Sequence, residues 1–209
     1  MSISYYITLY FPLERLECAI EELIKISERA SEKRMSIWLQ DGRKVVVPHT
    51  LYAVPDKNER SLATAKSISF TTSFLLAEDP VIYHYVESLS LGRESIKHMM
   101  IDEAYRIGNF IVSLTIGESY SEVSIGSVSS SQIRILSDSD IFHHHVVRIL
   151  GQCDGLFALL NTDTQSAEGN YVYSMIGNLD KVVLIDPAAS DFGDNIDFMV
   201  EMVVQQLSL

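Results

Sequence analysis

Three consecutive histidines, His143, His144 and His145, form the densest set of chemically able side chains in this chain of 209 residues. Imidazoles exchange protons near neutral pH and ligate metals, so what they do depends on how they are placed. Ser137 precedes Asp138, Ser139 and Asp140, and Gly151 follows. A capping serine, an acidic first turn and a terminal glycine predict a helix over 138–150. Each residue on a helix turns by about 100°. Ile141, Phe142, Val146, Ile149 and Leu150 then define an apolar side. His145 falls at or within one margin of that side, His143 at the other, and His144 points to solvent beside Arg148. Helical zinc ligands sit four residues apart. No histidine lies four residues from any of these three, and Asp140 with His144 is the only carboxylate pair at that spacing. In a strand, His143 and His145 would share a face and chelate. The helical reading leaves His143 and His145 as candidate proton-active residues and assigns no metal ligand.

Asp163 and Asp186 each follow an apolar run, in "LLNTD" and "LID". Carboxylates at strand ends hold Mg²⁺ in phosphoryl chemistry. Such sites usually include a phosphate cradle, and the chain has neither G-x-x-x-x-G-K nor G-x-G-x-x-G. A G-x-S-x-G nucleophile elbow is also missing; "IGESYS" at 116–121 shares only its composition. There is no C-x-x-C. Cys18 and Cys153 read as two buried, reduced thiols, with a disulfide between them left open. His49, after Pro48, and His84, between Tyr83 and Tyr85, are further imidazoles that the fold has to place. No catalytic or cofactor-binding residue is assigned and no cofactor is implied, so the reading leans away from an enzyme.

The net charge is −12. Nine acidic residues and one basic residue, Lys181, fall between Gly151 and Leu209, so that stretch carries −8 and the first 150 residues carry −4. Such a balance repels phosphate backbones and argues against general nucleic-acid binding. It attracts a basic protein and speeds encounter with it. Asp180, Asp186, Asp191, Asp194, Asp197 and Glu201 are the candidate partner-binding residues. The first residues lack the basic and apolar regions of a secretory signal, and no run of 18 apolar residues is present. These features predict a cytoplasmic protein that does not engage membranes.

Several elements must position these groups. Residues 3–11 predict a strand, and a helix with an apolar stripe at Leu13, Leu16, Ile20, Leu23 and Ile24 follows Pro12. Residues 35–50 predict a hairpin turned at Asp41-Gly42. Residues 55–66 predict a polar connection, 67–79 a strand and Asp79-Pro80 a turn; 81–88 fits strand or helix, with its alternation favouring strand. A helix closed by Gly108 is expected over 95–108, then a hairpin from 109–117 and 120–128. Strands are expected at 155–163, 170–177 and 181–186, and a terminal helix carries Ile196, Met199, Val200, Val203, Val204 and Leu207 at helical spacing.

Frequent hairpins without βαβ alternation predict an α+β fold: a largely antiparallel mixed sheet with about three to four amphipathic helices. A single compact domain over 1–209 is expected, with two similar halves, 1–108 and 109–209, as the other division. This acidic profile without catalytic signatures resembles that of inhibitor or immunity proteins, which implies occlusion of a basic partner. The functional expectation is thus a non-enzymatic intracellular binding protein. Two alternatives stand beside it: an acid–base or metal-assisted hydrolase using the His143–His145 region, and a self-associating structural protein.

Overall fold

The computed structural model describes residues 6–27, 33–49, 59–89, 93–118, 120–127, 129–165, 171–177 and 182–185. Strand β1 (Tyr6–Pro12) leads through a 3-10 turn (Leu13–Arg15) into helix α1 (Leu16–Ile26). Strands β2 (Arg34–Trp38), β3 (Lys44–Pro48), β4 (Glu59–Ser61) and β5 (Ser67–Ala77) follow. Next come α2 (Pro80–Ser88), α3 (Arg93–Met99), β6 (Met100–Ile101), β7 (Ala104–Ile116) and β8 (Tyr120–Ser127). Helices α4 (Ser130–Asp138) and α5 (Asp140–Gln152) precede β9 (Phe157–Gln165), β10 (Tyr171–Gly177) and β11 (Val182–Ile185).

The fold is α+β. One sheet runs β11-β10-β9-β1-β8-β7-β5, with β6 added to β7, and its pairings are antiparallel. A second sheet, β3-β2-β4, combines an antiparallel pair with a parallel one. Both halves of the chain feed the first sheet, and β7 runs through positions 108 and 109. β1 lies inside that sheet, and Ile7, Thr8, Leu9, Tyr10 and Phe11 are all buried, so both of its faces are covered. Along β7 the buried set steps from Ile107 to Phe110 rather than alternating strictly. A register shift between Thr72 and Phe74 of β5, with Asn109 at φ 66, marks a bulge there.

β1 pairs with β9; α1 follows β1 and α5 precedes β9, and the two helices pack together. Cys18 of α1 and Cys153 after α5 are thereby 5.6 Å apart at Cα and joined by a disulfide. This corrects the expectation of two separate reduced thiols. The bond spans 135 residues of sequence, and in the chain-entropy model a loop of that length stabilises the fold by about 5 kcal/mol at most. Beside it, Gln152, its amide turned to donate, reaches the buried Glu22 carboxylate at 2.7 Å.

Three local expectations are overturned. Residues 81–88 are helix, not strand: Asp79 caps α2, Pro80 occupies its first turn, and Ile82 and Val86 are its buried pair. Residues 95–108 do not form one helix closed by Gly108. α3 ends at Met99, Asp102 and Glu103 take positive φ values (47° and 67°) in a tight turn, and Gly108 lies inside β7. The helix with the histidines is capped by Ser139 rather than Ser137, because Ser137 belongs to α4, and Gly151 is helical. The polar connection at 55–66 contains β4. The terminal helix expected from about 194 lies outside the described residues.

Candidate functional site

The histidine helix is fixed by one carboxylate and one aromatic cluster. Asp79 accepts from Ile82 N at 2.7 Å and so caps α2. Its other oxygen accepts from Ser139 Oγ and, at 3.3 Å, from Ile141 N. Ser139 Oγ in turn accepts from Phe142 N at 3.1 Å and caps α5. One aspartate therefore sets the start of both helices. Phe142, fully buried, packs near Phe110 and Phe74, with ring centroids 6.3 and 6.4 Å away. Phe74 and Phe110 are 4.8 Å apart beside the β5–β7 bulge.

With the helix so oriented, the three imidazoles face three ways, as the helical spacing predicts. His143 is half-buried, and its Nε2 lies 2.8 Å from Leu136 O. A carbonyl only accepts, so Nε2 carries the proton and donates to the last turns of α4. His144 is exposed. His145 is half-buried, and its Nδ1 is buried without a hydrogen-bond partner among the described residues. Burial pushes His145 down to about 4 from its ordinary 6.5, and the charges of Arg148 and His144 act in the same direction. Arg148 lies one turn on, with Nε and one terminal nitrogen also buried and without a partner among the described residues. The rings of His144 and His145 are 6.5 Å apart at their centroids. Among the described residues, no three His, Cys, Asp or Glu side chains converge as metal ligands would.

His49 is buried after β3, and His84 is exposed on α2. His84 lines a groove of about 380 Å³ over the seam of α2 and α4, with Pro80, Val81, Tyr85, Arg134 and Asp138 among the other lining residues. Its base is held by Gln132, whose Nε2 donates to Gly108 O at 2.6 Å and to Tyr85 Oη at 3.1 Å. Ser127 Oγ donates to Gln132 Oε1 at 2.8 Å. Burial raises Tyr85 and the Gln132 contact works against it, so this hydroxyl stays protonated. The groove presents a guanidinium, an imidazole and a carboxylate around a phenol ring.

Of the two aspartates that follow apolar runs, Asp163 lies on a described strand and Asp186 lies outside the described residues. β9 continues through position 163 to Gln165, so Asp163 stands within a strand and not after one. The six acidic candidates, Asp180, Asp186, Asp191, Asp194, Asp197 and Glu201, lie outside the described residues, as does the end of the chain. Asp180 and Asp186 flank β11 in sequence. Among the described residues, no helix is long and apolar enough to cross a membrane. Sequence reasoning missed the Asp79 double cap, although "DP" before an apolar run is a helix-start signal. Comparison with protein-family models, with curated proteins and with solved structures gives no match to this chain.

Proposed function

We propose that the protein is a non-enzymatic binding protein whose acidic C-terminal third engages a basic protein partner, in the manner of an inhibitor. The observation that carries this is the concentration of −8 of the −12 charge in residues 151–209. A potential of one sign over one part of a surface raises encounter rates and rejects like-charged partners. The α5 histidines support the same reading. His143 is committed to a backbone carbonyl and His145 faces a cation, so among the described residues neither is paired with a carboxylate base. The reduced thiols that would accompany a cytoplasmic location are instead bonded, and disulfides persist in oxidising compartments.

The test uses a lysine-rich peptide as the basic probe. Wild type binds it at low ionic strength. Asp191→Asn, Asp194→Asn and Asp197→Asn together weaken binding about tenfold, the equivalent of 1.4 kcal/mol. Unchanged affinity in the triple variant would remove this surface as the binding site. The hydrolase alternative narrows to His145, whose buried Nδ1 has no partner among the described residues. Hydrolysis of any ester or phosphate probe that is lost in His145→Gln would favour that alternative.

A further inference from the structure

The charge asymmetry has a counterpart elsewhere in the chain. Between Lys33 and Lys66 there are seven basic and three acidic residues, so this stretch carries +4 in a chain of −12. Its described residues include the three strands of the sheet β3-β2-β4. Met35, Ile37, Val45 and Val47 form its buried face, and β3 packs against α1. The register sets Ser36 beside Val46 and Glu59, and Trp38 beside Lys44 and Ser61, so these residues share the opposite face. Arg34 lies on the same face and is exposed.

Trp38, the chain's only tryptophan, is 38% exposed there, and Val46 is 39% exposed. Lys44 Nζ stands 5.3 Å from the Trp38 ring centroid and 3.3 Å from Glu59 Oε1. Single exposed apolar residues are ordinary on protein surfaces. A tryptophan and a valine on one face, rimmed by Arg34, Lys44 and Glu59, have instead the composition of an interface centre: an aromatic anchor inside a charged rim.

We infer that this face docks the acidic C-terminal third of a second copy of the chain. The inference rests on the proposed role of that third as a binding surface and names its basic partner. The face itself carries Arg34 and Lys44 against Glu59, a net +1 within a stretch of +4, and the complementarity is with −8 over 151–209. A carboxylate arriving at the sheet pairs with Arg34 and competes with Glu59 for Lys44, and the chain that carries it covers Trp38 and Val46. A two-fold arrangement lets each copy give one surface and receive the other, so the assembly closes at two. Exposed charges of this kind are screened beyond about 8 Å at physiological ionic strength, so the contact weakens with salt.

The experiment is sedimentation of the full chain over a range of concentrations at low and high salt, with Trp38 emission recorded on the same samples. The expected result is a mass that doubles with concentration at low salt and returns to one chain at high salt. The single-tryptophan emission shifts to the blue in step with the mass. Arg34→Glu and Val46→Asp change exposed side chains and leave the inward face intact; each raises the dimer dissociation constant about tenfold or more. Circular dichroism confirms that both remain folded. A single-chain mass at every concentration overturns the inference, as does a dimer that forms with unshifted emission and ignores both substitutions. A single-chain mass in a protein that still binds the lysine-rich peptide through Asp191, Asp194 and Asp197 sinks only the self-docking. Loss of both sinks the reading beneath it as well.

Discussion

At the residue scale, three adjacent imidazoles hold three unlike states because one helix turns them apart. His143 closes onto Leu136 O, His144 meets water, and His145 is half-buried beside Arg148. This dispersal is legible in the sequence, since it follows from the angular step of a helix and the apolar set around Phe142. What the sequence does not carry is that His145 Nδ1 is buried without a partner among the described residues, because that depends on what neighbouring elements lay over it. A testable consequence follows for stability. The folded state holds His145 near 4, below the ordinary 6.5, so between these values the unfolded chain binds the extra proton. Stability is therefore lost as pH falls from 6.5 to 4, and no further loss from this group occurs below that. Relative to His145→Gln, wild type should lose at most about 3 kcal/mol across that window, and less where solvent reaches the ring. Urea unfolding at several pH values measures it; parallel curves for the two proteins would contradict the assignment.

At the element scale, the hairpins and the α1 stripe could be read directly, whereas 81–88 and 95–108 could not. Val81, Tyr83 and Tyr85 mimic strand alternation, yet the Asp79-Pro80 start signal and the Ile82–Val86 spacing decide for a helix. The turn at Asp102 and Glu103 adopts positive φ without glycine, so the punctuation that marks most tight turns is missing, and Gly108 was left to act as a false stop. The disulfide was illegible for a different reason: only the pairing of β1 with β9 brings α1 beside α5. Asp79 is the residue on which two of these elements depend. Asp79→Ala removes the α2 cap and leaves Ser139 Oγ and Ile141 N without their acceptor. The expected cost is about 2 kcal/mol or more, since a single cap accounts for about 1. Ser139→Ala introduced into that background should cost less than it does alone, because the two side chains share one network, although Ser139 Oγ still caps Phe142 N. Denaturant unfolding that finds Asp79→Ala within about 0.5 kcal/mol of wild type would remove the double-cap account.

At the scale of the whole molecule, the α+β architecture followed from hairpin frequency and the lack of βαβ alternation, while strand order did not. β1 and β9, or β1 and β8, are neighbours through contacts far apart in sequence, and nothing in their side chains names the partner. Charge distribution is the property most fully legible in the sequence alone. The acidic third stands out in the composition. The basic stretch at 33–66 gains meaning only when the sheet register sets Trp38, Val46, Arg34 and Lys44 on one face. The central claim is that the acidic third recruits its partner electrostatically. Stopped-flow association of the chain with a lysine-rich peptide, from low to physiological ionic strength, tests it most directly. The account predicts that the association rate constant falls about tenfold or more across that range, with a much smaller change in dissociation. An association rate indifferent to salt would contradict it.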